Sequence, residues 1–359
     1  MLSTSATNDT FTGWACTAKD EPLREMELPL RTWDENCVDM DIICCGMCGT
    51  DHHTLEESFG PCTLWPCVVV KLCQGHEIVG KVTRVGKNVT NVHVGDRAGV
   101  GCQVDSCGQC EECLKGNQNM CTVRLVMTYN DKWSNGEKTY GGYANRWRGD
   151  YRFVCKVPDS MPSEVCASFL CAGLTCFSPL RRTGVDSTSV VGIMGLGGLG
   201  HFAVLFAKAM GAKVIAMSQT ASKRSVALEL GADEFLVTSN ATAMSSYRKQ
   251  MTHIFCTGTN PADFQWNSYF NLLKANGHFI NVMLGDWEFP PINPAMLVFH
   301  QVYIHGSLIG SPKEIDAMLA FAVENKIVPW VTTYPMSKVN EALEDFKAGK
   351  PRFRFVLKN

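Results

Sequence analysis

The sequence predicts an α/β protein in two parts, one mostly β and one a doubly wound parallel sheet. Three observations lead there. A length of 359 residues suits about two domains. The first 160 residues are rich in Gly, Cys and Val, break often at turns and hold no long amphipathic helix. After Pro162, apolar strands alternate with helical stretches, the pattern of βαβ units on a parallel sheet.

Composition narrows the class. Hydrophobic residues make up 45% and charged residues 19%, an ordinary globular balance with enough chain for two cores. The net charge of -2 gives no global basic field for nucleic acid or an anionic membrane. The opening "MLSTSATNDTFTGW" lacks the basic region and apolar run of a signal peptide. No stretch approaches the roughly 18 consecutive apolar residues of a membrane span, so the expected address is the cytoplasm. In a cytosolic chain, the 18 cysteines read as metal ligands and buried small hydrophobes rather than disulfides.

In the first part, "HEIVGKVTRVG" and "VGDRAGVG" read as short strands. In the second, strands are expected at 190–194 and 213–217, with helices at 199–210 and 222–230. "THIFCTGT" and "GHFINVML" continue the sheet. Ser311 is a candidate N-cap for a late helix, and "PRFRFVLKN" closes the chain as a strand.

Gly195-Leu196-Gly197-Gly198-Leu199-Gly200 matches G-x-G-x-x-G between a strand and a helix, the context that gives the motif its mechanics. Gly195 allows the tight turn, Gly197 the approach of a pyrophosphate, and Gly200 close helix–strand packing. The helix N-terminus offers N–H groups to phosphate. NAD-binding versions carry a carboxylate at the end of the second strand. Here that end is Ser218-Gln219, with Lys223 and Arg224 following, which favours NADP(H). The plainer reading makes Lys223 and Arg224 the solvated start of a helix.

"CGQCEECLKGNQNMC" spaces Cys107, Cys110, Cys113 and Cys121 as C-x2-C-x2-C-x7-C, suited to a closed tetrahedral zinc site. An iron–sulfur cluster can use similar spacing. A second concentration, "CCGMCGTDHH", holds Cys48, Thr50 and His53. "GHEIVG" adds His76 and Glu77, and "FLCAG" adds Cys171. Two thiolates and an imidazole make a catalytic zinc set with an open position, with Glu77 an alternative fourth ligand.

"CGMCGTDHH", "GHEIVG", the four-cysteine lobe, "YGGYA", "LCAGLT" and "GLGGLGH" follow one another as in zinc-dependent medium-chain dehydrogenases/reductases. The chain resembles the cinnamyl-alcohol-dehydrogenase-like, NADP(H)-dependent branch over nearly its whole length. The resemblance implies a GroES-like catalytic domain from residues 1–171 and 310–359, with a Rossmann NADP(H)-binding domain at 172–309. It places Cys48, His76 and Cys171 on the catalytic zinc, Glu77 beside it, and Thr50 and His53 on a proton relay. It places Cys107, Cys110, Cys113 and Cys121 on a structural zinc, and Ser218 and Lys223 at the 2′-phosphate. It implies two Zn2+ per chain, an aldehyde or alcohol substrate of aromatic or allylic type, and a homodimer through the Rossmann sheets.

One departure stands out. The chain from Cys48 to His76 is longer than the family pattern, with the surplus in "VVVKLCQ". It is expected to bulge outward; the alternatives are that it displaces His76 or adds Cys73 as a rival ligand. Trp65, Leu125 and Trp147 could line an apolar pocket or belong to the core. Cys44 and Cys45 read as buried thiols, His52 as out of register with the relay, and His253 and His278 as structural. Two rival functions follow from the same motifs. One is a C=C or C=N reductase with the catalytic zinc absent or idle, and the other a nucleotide-binding zinc protein without turnover.

Overall fold

In the computed structural model the chain divides into two compact units. One comprises Met1–Cys171, Ser311–Val323 and Trp330–Asn359; the other comprises Ala172–Gly310 and Glu324–Pro329. The structure describes residues 9–19, 21–57, 72–258, 264–284 and 288–359.

The first unit is mostly β, as its composition predicts. Its main sheet runs Val154–Lys156, Arg97–Val100, Glu77–Val85, Cys37–Met47, Arg354–Lys358 and Val331–Pro335, with Arg146–Asp150 also pairing to Cys37–Met47. The strand Cys37–Met47 is buried along almost its whole length, which suits its apolar and sulfur-bearing residues. Asp39 within it needs a partner to be buried. Arg148 stands opposite in register and grips its carboxylate in a fork, at 2.6 and 2.9 Å. Trp147 takes the core role, packed with Met40 and Tyr143. Leu125 is half-buried in the short strand Leu125–Met127. Trp65 lies outside the described residues.

The second unit holds six parallel strands in the order Glu234–Val237, Lys213–Ser218, Val190–Met194, Met251–Cys256, Leu273–Asn281 and Tyr303–Gly306. The order reverses between Val190–Met194 and Met251–Cys256, the switch point where nucleotides bind in doubly wound sheets. The expected strands fall in place. The helix expected at 199–210 is Gly198–Ala209, and the one expected at 222–230 starts as a 3-10 turn, Ala221–Lys223, before Arg224–Glu229. Ser311 precedes the helix Pro312–Glu324, and its N–H donates to Glu314 three residues on, at 2.8 Å. Among the described residues, one helical run, Ser163–Arg182, is long and apolar enough to cross a bilayer; 89% of its apolar 18-residue window is buried within the protein.

Three imidazoles cross this sheet on adjacent strands. His253 and His278 are register partners with rings stacked at 4.9 Å, and His278 Nδ1 lies 2.8 Å from His305 Nε2. His253 is buried, its Nε2 toward the Thr183 carbonyl at 3.2 Å and its Nδ1 toward Thr252 at 2.8 Å. Burial pushes His253 down to about 4. A base with a depressed folded-state pKa stabilises the fold fully above the unfolded value near 6.5. That contribution is lost as pH falls from about 6.5 toward 4, because the unfolded chain protonates first. His253→Gln, which keeps a donor for Thr183, should therefore recover about 2 kcal/mol of the stability lost between pH 7 and pH 5. Denaturant melts of both proteins at the two pH values measure it; equal pH slopes would refute the assignment.

Candidate active site

Cys48 ends the strand Cys37–Met47 and caps α1 (Gly49–Leu55). Its backbone N–H donates to Asp51 Oδ2 at 2.9 Å, which fixes the turn from strand to helix. Cys48 Sγ then lies 3.8 Å from Cys171 Sγ and 3.6 Å from the Thr50 hydroxyl. Cys171 sits in a π-helical turn, Phe169–Gly173, an irregularity frequent at functional sites. Glu77 opens the neighbouring strand, with His76 just before it, and stands opposite Gly46. A Cβ at Gly46 would lie 1.9 Å from Glu77 Oε2, so only glycine leaves room for that carboxylate. The ligand atoms of Cys48, His76, Glu77 and Cys171 all fall within 4.8 Å of one another.

The long segment before His76 does not displace it. Residues 58–71 lie outside the described residues, so the expected bulge in 68–71 does too; by Cys73 the chain is back in a strand pair with Ala15. Cys73 is no rival ligand: its Sγ faces the carbonyls of Gly141 and Tyr143, each at 3.6 Å.

These donors fit zinc. His76 Nε2 and Glu77 Oε2 are buried and have no hydrogen-bond partner among the described residues, while His76 Nδ1 faces Asp51 Oδ1 at 3.6 Å. Two sulfurs, one imidazole nitrogen and one carboxylate oxygen converge, a borderline-soft set. The cluster also calls for positive charge. A hydrogen bond from Cys171 and the nearby His76 hold the Cys48 thiol well below its usual range. Burial pushes the Glu77 carboxyl up to about 8, against the pull of Arg354.

Two participants escaped the sequence reading. Arg354 donates to Glu77 Oε1, and both side chains are buried. It arrives from a strand 277 residues away, and its neighbour Phe355 is register partner to Met47. Cys102 is the other; it is buried close enough to Cys171 and His76 to shift both. A lone buried cysteine in an apolar strand end carries no sequence signal.

Thr50 and His53 lie on α1, one turn apart, so their side chains share a helix face. His52 points elsewhere, its Nε2 3.2 Å from the Glu56 carboxylate.

The four-cysteine lobe closes as expected. Cys107, Cys110, Cys113 and Cys121 converge, with sulfur separations of 3.4, 3.8 and 3.9 Å. Zn–S bonds of about 2.3 Å give a tetrahedron with edges of about 3.8 Å. Backbone N–H groups of Cys110 and Arg124 point at Cys107 and Cys121 Sγ, 3.3 and 3.4 Å away, and favour thiolates.

In the second unit, Gly195 has φ +82°, and a Cβ at Gly200 would stand 1.9 Å from the Gly195 carbonyl oxygen. Nothing lies within 4 Å of a Cβ at Gly197, so the backbone is open to a ligand there. Gly198 and Leu199 begin the helix. A cavity of about 280 Å³ opens beside the loop, lined by Gly195, Ser218, Gln219, Thr220 and Tyr269 among others. Lys223 Nζ donates to the Leu196 carbonyl at 2.9 Å, which holds the cation against the glycine loop. The Arg224 guanidinium lies over the Phe235 ring, 5.1 Å from its centroid.

A parallel nucleotide-type sheet, a closed four-sulfur site and an open Cys/His/Glu/Cys site define a zinc-binding dehydrogenase. Comparison with known proteins agrees. Residues 34–159 match the alcohol dehydrogenase GroES-like domain, and residues 198–324 match the zinc-binding dehydrogenase domain. Cinnamyl alcohol dehydrogenase 2 of Rauvolfia serpentina is 40% identical over 350 residues, covering 96% of this chain and 94% of the relative. A cinnamyl alcohol dehydrogenase structure from Sorghum bicolor superposes with TM-score 0.89 at 34% identity, covering 98% of both chains. One from Helicobacter pylori, complexed with NADP(H), gives 0.85 at 30% identity, covering 97% of this chain and 98% of that one. The chain belongs to the zinc-binding alcohol dehydrogenases of the medium-chain dehydrogenase/reductase family, in the cinnamyl-alcohol-dehydrogenase-like branch. It is an oxidoreductase acting on CH–OH groups.

Proposed function

We propose that the protein is a cytoplasmic, NADP(H)-dependent aldehyde reductase/alcohol dehydrogenase for aromatic, allylic or aliphatic aldehydes. The catalytic domain would comprise residues 1–171 and 310–359, and the cofactor domain residues 172–309. The convergence of Cys48, His76, Glu77 and Cys171, with His76 Nε2 uncommitted, carries the reading. Zinc held there would supply Lewis acidity toward a substrate oxygen, and NADPH a hydride. Cys48, His76 and Cys171 would hold the metal, and Arg354 keeps Glu77 in reach. The Thr50 hydroxyl, beside Cys48 Sγ, is placed to give a proton to a product oxygen, with His53 passing it outward. Ser218, Lys223 and Arg224 support a 2′-phosphate, since no carboxylate stands at the end of Lys213–Ser218. The NADP(H) bound by the Helicobacter relative points the same way.

A homodimer is part of the proposal. Among the described residues the strand Tyr303–Gly306 pairs on one side only, and Phe299, Tyr303 and Ile304 near it are exposed. A second copy adding its own edge strand would cover them.

Metal analysis of the purified protein, sizing, and NADPH oxidation with cinnamaldehyde test these points together. Two zincs per chain, a dimer and at least about tenfold preference for NADPH over NADH are expected. Lys223→Glu should erase that preference. One zinc and no aldehyde turnover would hand the case to a C=C or C=N reductase, or to a nucleotide-binding protein without turnover.

A further inference from the structure

We propose that Tyr143 is a positioning residue for the His76 ligand, acting through the buried carboxylate of Asp51. The inference rests on the reading that Cys48, His76, Glu77 and Cys171 hold zinc. Asp51 is fully buried. Its Oδ2 accepts two hydrogen bonds, from the Cys48 N–H at 2.9 Å and from the Tyr143 hydroxyl at 2.8 Å. Among the described residues no donor stands at hydrogen-bond geometry to its Oδ1, which faces His76 Nδ1 at 3.6 Å. The Tyr129 hydroxyl, on a ring stacked against His76, also lies near the carboxylate. The two donors occupy Oδ2 and lock the carboxylate's rotation, so the other oxygen is the one turned to the imidazole. A carboxylate facing Nδ1 favours the tautomer with its proton there and leaves the Nε2 lone pair for a metal.

The fold is built to deliver that hydroxyl. The segment Gly141–Gly142–Tyr143 straps the chain just before His76. The N–H of Gly141 donates to the Cys73 carbonyl at 2.8 Å, that of Gly142 to Gly75 at 2.7 Å, and that of Tyr143 to Gln74 at 2.8 Å. Gly75 has φ +93°, and a Cβ there would stand 2.6 Å from the Tyr143 ring. The missing side chain next to His76 thus makes room for this tyrosine. Gln74 in turn donates its side-chain amide to the Asp51 carbonyl at 2.6 Å. Two motifs distant in sequence, "QGHE" and "YGGYA", interlock around one carboxylate. Plain packing would need the ring but not the hydroxyl.

Tyr143→Phe keeps the ring and removes only the hydroxyl. Zinc release to a colorimetric chelator then reads the proposal, and the four-cysteine site serves as an internal control in the same molecule. One of the two zincs should leave about 10- to 100-fold faster, the range for losing an outer-shell partner, while the other leaves at the wild-type rate. Asp51→Asn should do the same, and adding Tyr143→Phe to it should have no further effect, because both act through one carboxylate. Cobalt substitution gives a second readout, a shifted d–d spectrum in Tyr143→Phe. Two zincs released at wild-type rates from Tyr143→Phe would overturn the proposal, as would equal acceleration of both. A wild-type protein that holds only the four-cysteine zinc would overturn the underlying reading instead.

Discussion

Cys48→Ser should remove one zinc per chain and lower kcat/KM for an aldehyde by about 10³-fold or more. The serine hydroxyl can still cap α1 but does not ionise at neutral pH, so one of the ligands is lost. The Lewis acidity lost with the metal is worth several kcal/mol at the reacting oxygen, and each 1.36 kcal/mol is a factor of ten. The four-cysteine zinc should remain, because Cys107, Cys110, Cys113 and Cys121 form a separate cluster. Metal content and steady-state kinetics on one preparation decide the matter. A variant that keeps both zincs would point to Cys102 as a substitute ligand, since it already lies against Cys171 and His76. A variant that also keeps its activity would show that the site on Cys48 does not carry the reaction.

Arg354→Met should cost about 1–3 kcal/mol of stability, the penalty for leaving a buried polar group without its partner. Burial already pushes the Glu77 carboxyl up to about 8, and it takes its proton once the guanidinium is gone. Glu77 is fully buried and Arg354 nearly so, which shuts bulk solvent out of the place the guanidinium would leave. If the two side chains act as one pair, the double variant Arg354→Met/Glu77→Gln should cost less than the sum of the two single variants. Chemical denaturation of the four proteins forms the cycle. An exposed pair such as Lys115–Glu111 serves as contrast, with less than about 1 kcal/mol expected from breaking it. If Arg354→Met melts like the wild type, Glu77 is held by something other than Arg354.

The two kinds of site were not equally legible in the sequence. The structural zinc lobe was readable because its four ligands lie within 15 consecutive residues, so spacing alone brings them near one another. The glycine loop was readable for the same reason: each glycine answers a local backbone demand, at Gly195 a positive φ and at Gly200 a contact with a carbonyl five residues back. Strand periodicity fixed the class of both units, and the alternation after Pro162 fixed the parallel sheet. The ligands Cys48, His76 and Cys171 were legible only as a set carried by resemblance, because 123 residues separate the two cysteines.

What no local pattern encodes is the pairing register. Arg354 reaches Glu77 because their strands flank Cys37–Met47 on opposite sides, and Gly46 between them has no side chain to keep them apart. Tyr143 reaches Asp51 because a glycine strap ties the chain beside His76. Cys73 was a candidate ligand by proximity in sequence and is turned away by its strand pairing with Ala15. The sequence by itself determined the elements, the glycine loop and the structural zinc ligands, all set by short-range sterics and spacing. The tertiary structure alone decided which buried charges and hydroxyls support His76 and Glu77, because burial leaves a polar group no partner except the ones that strand order and register bring to it.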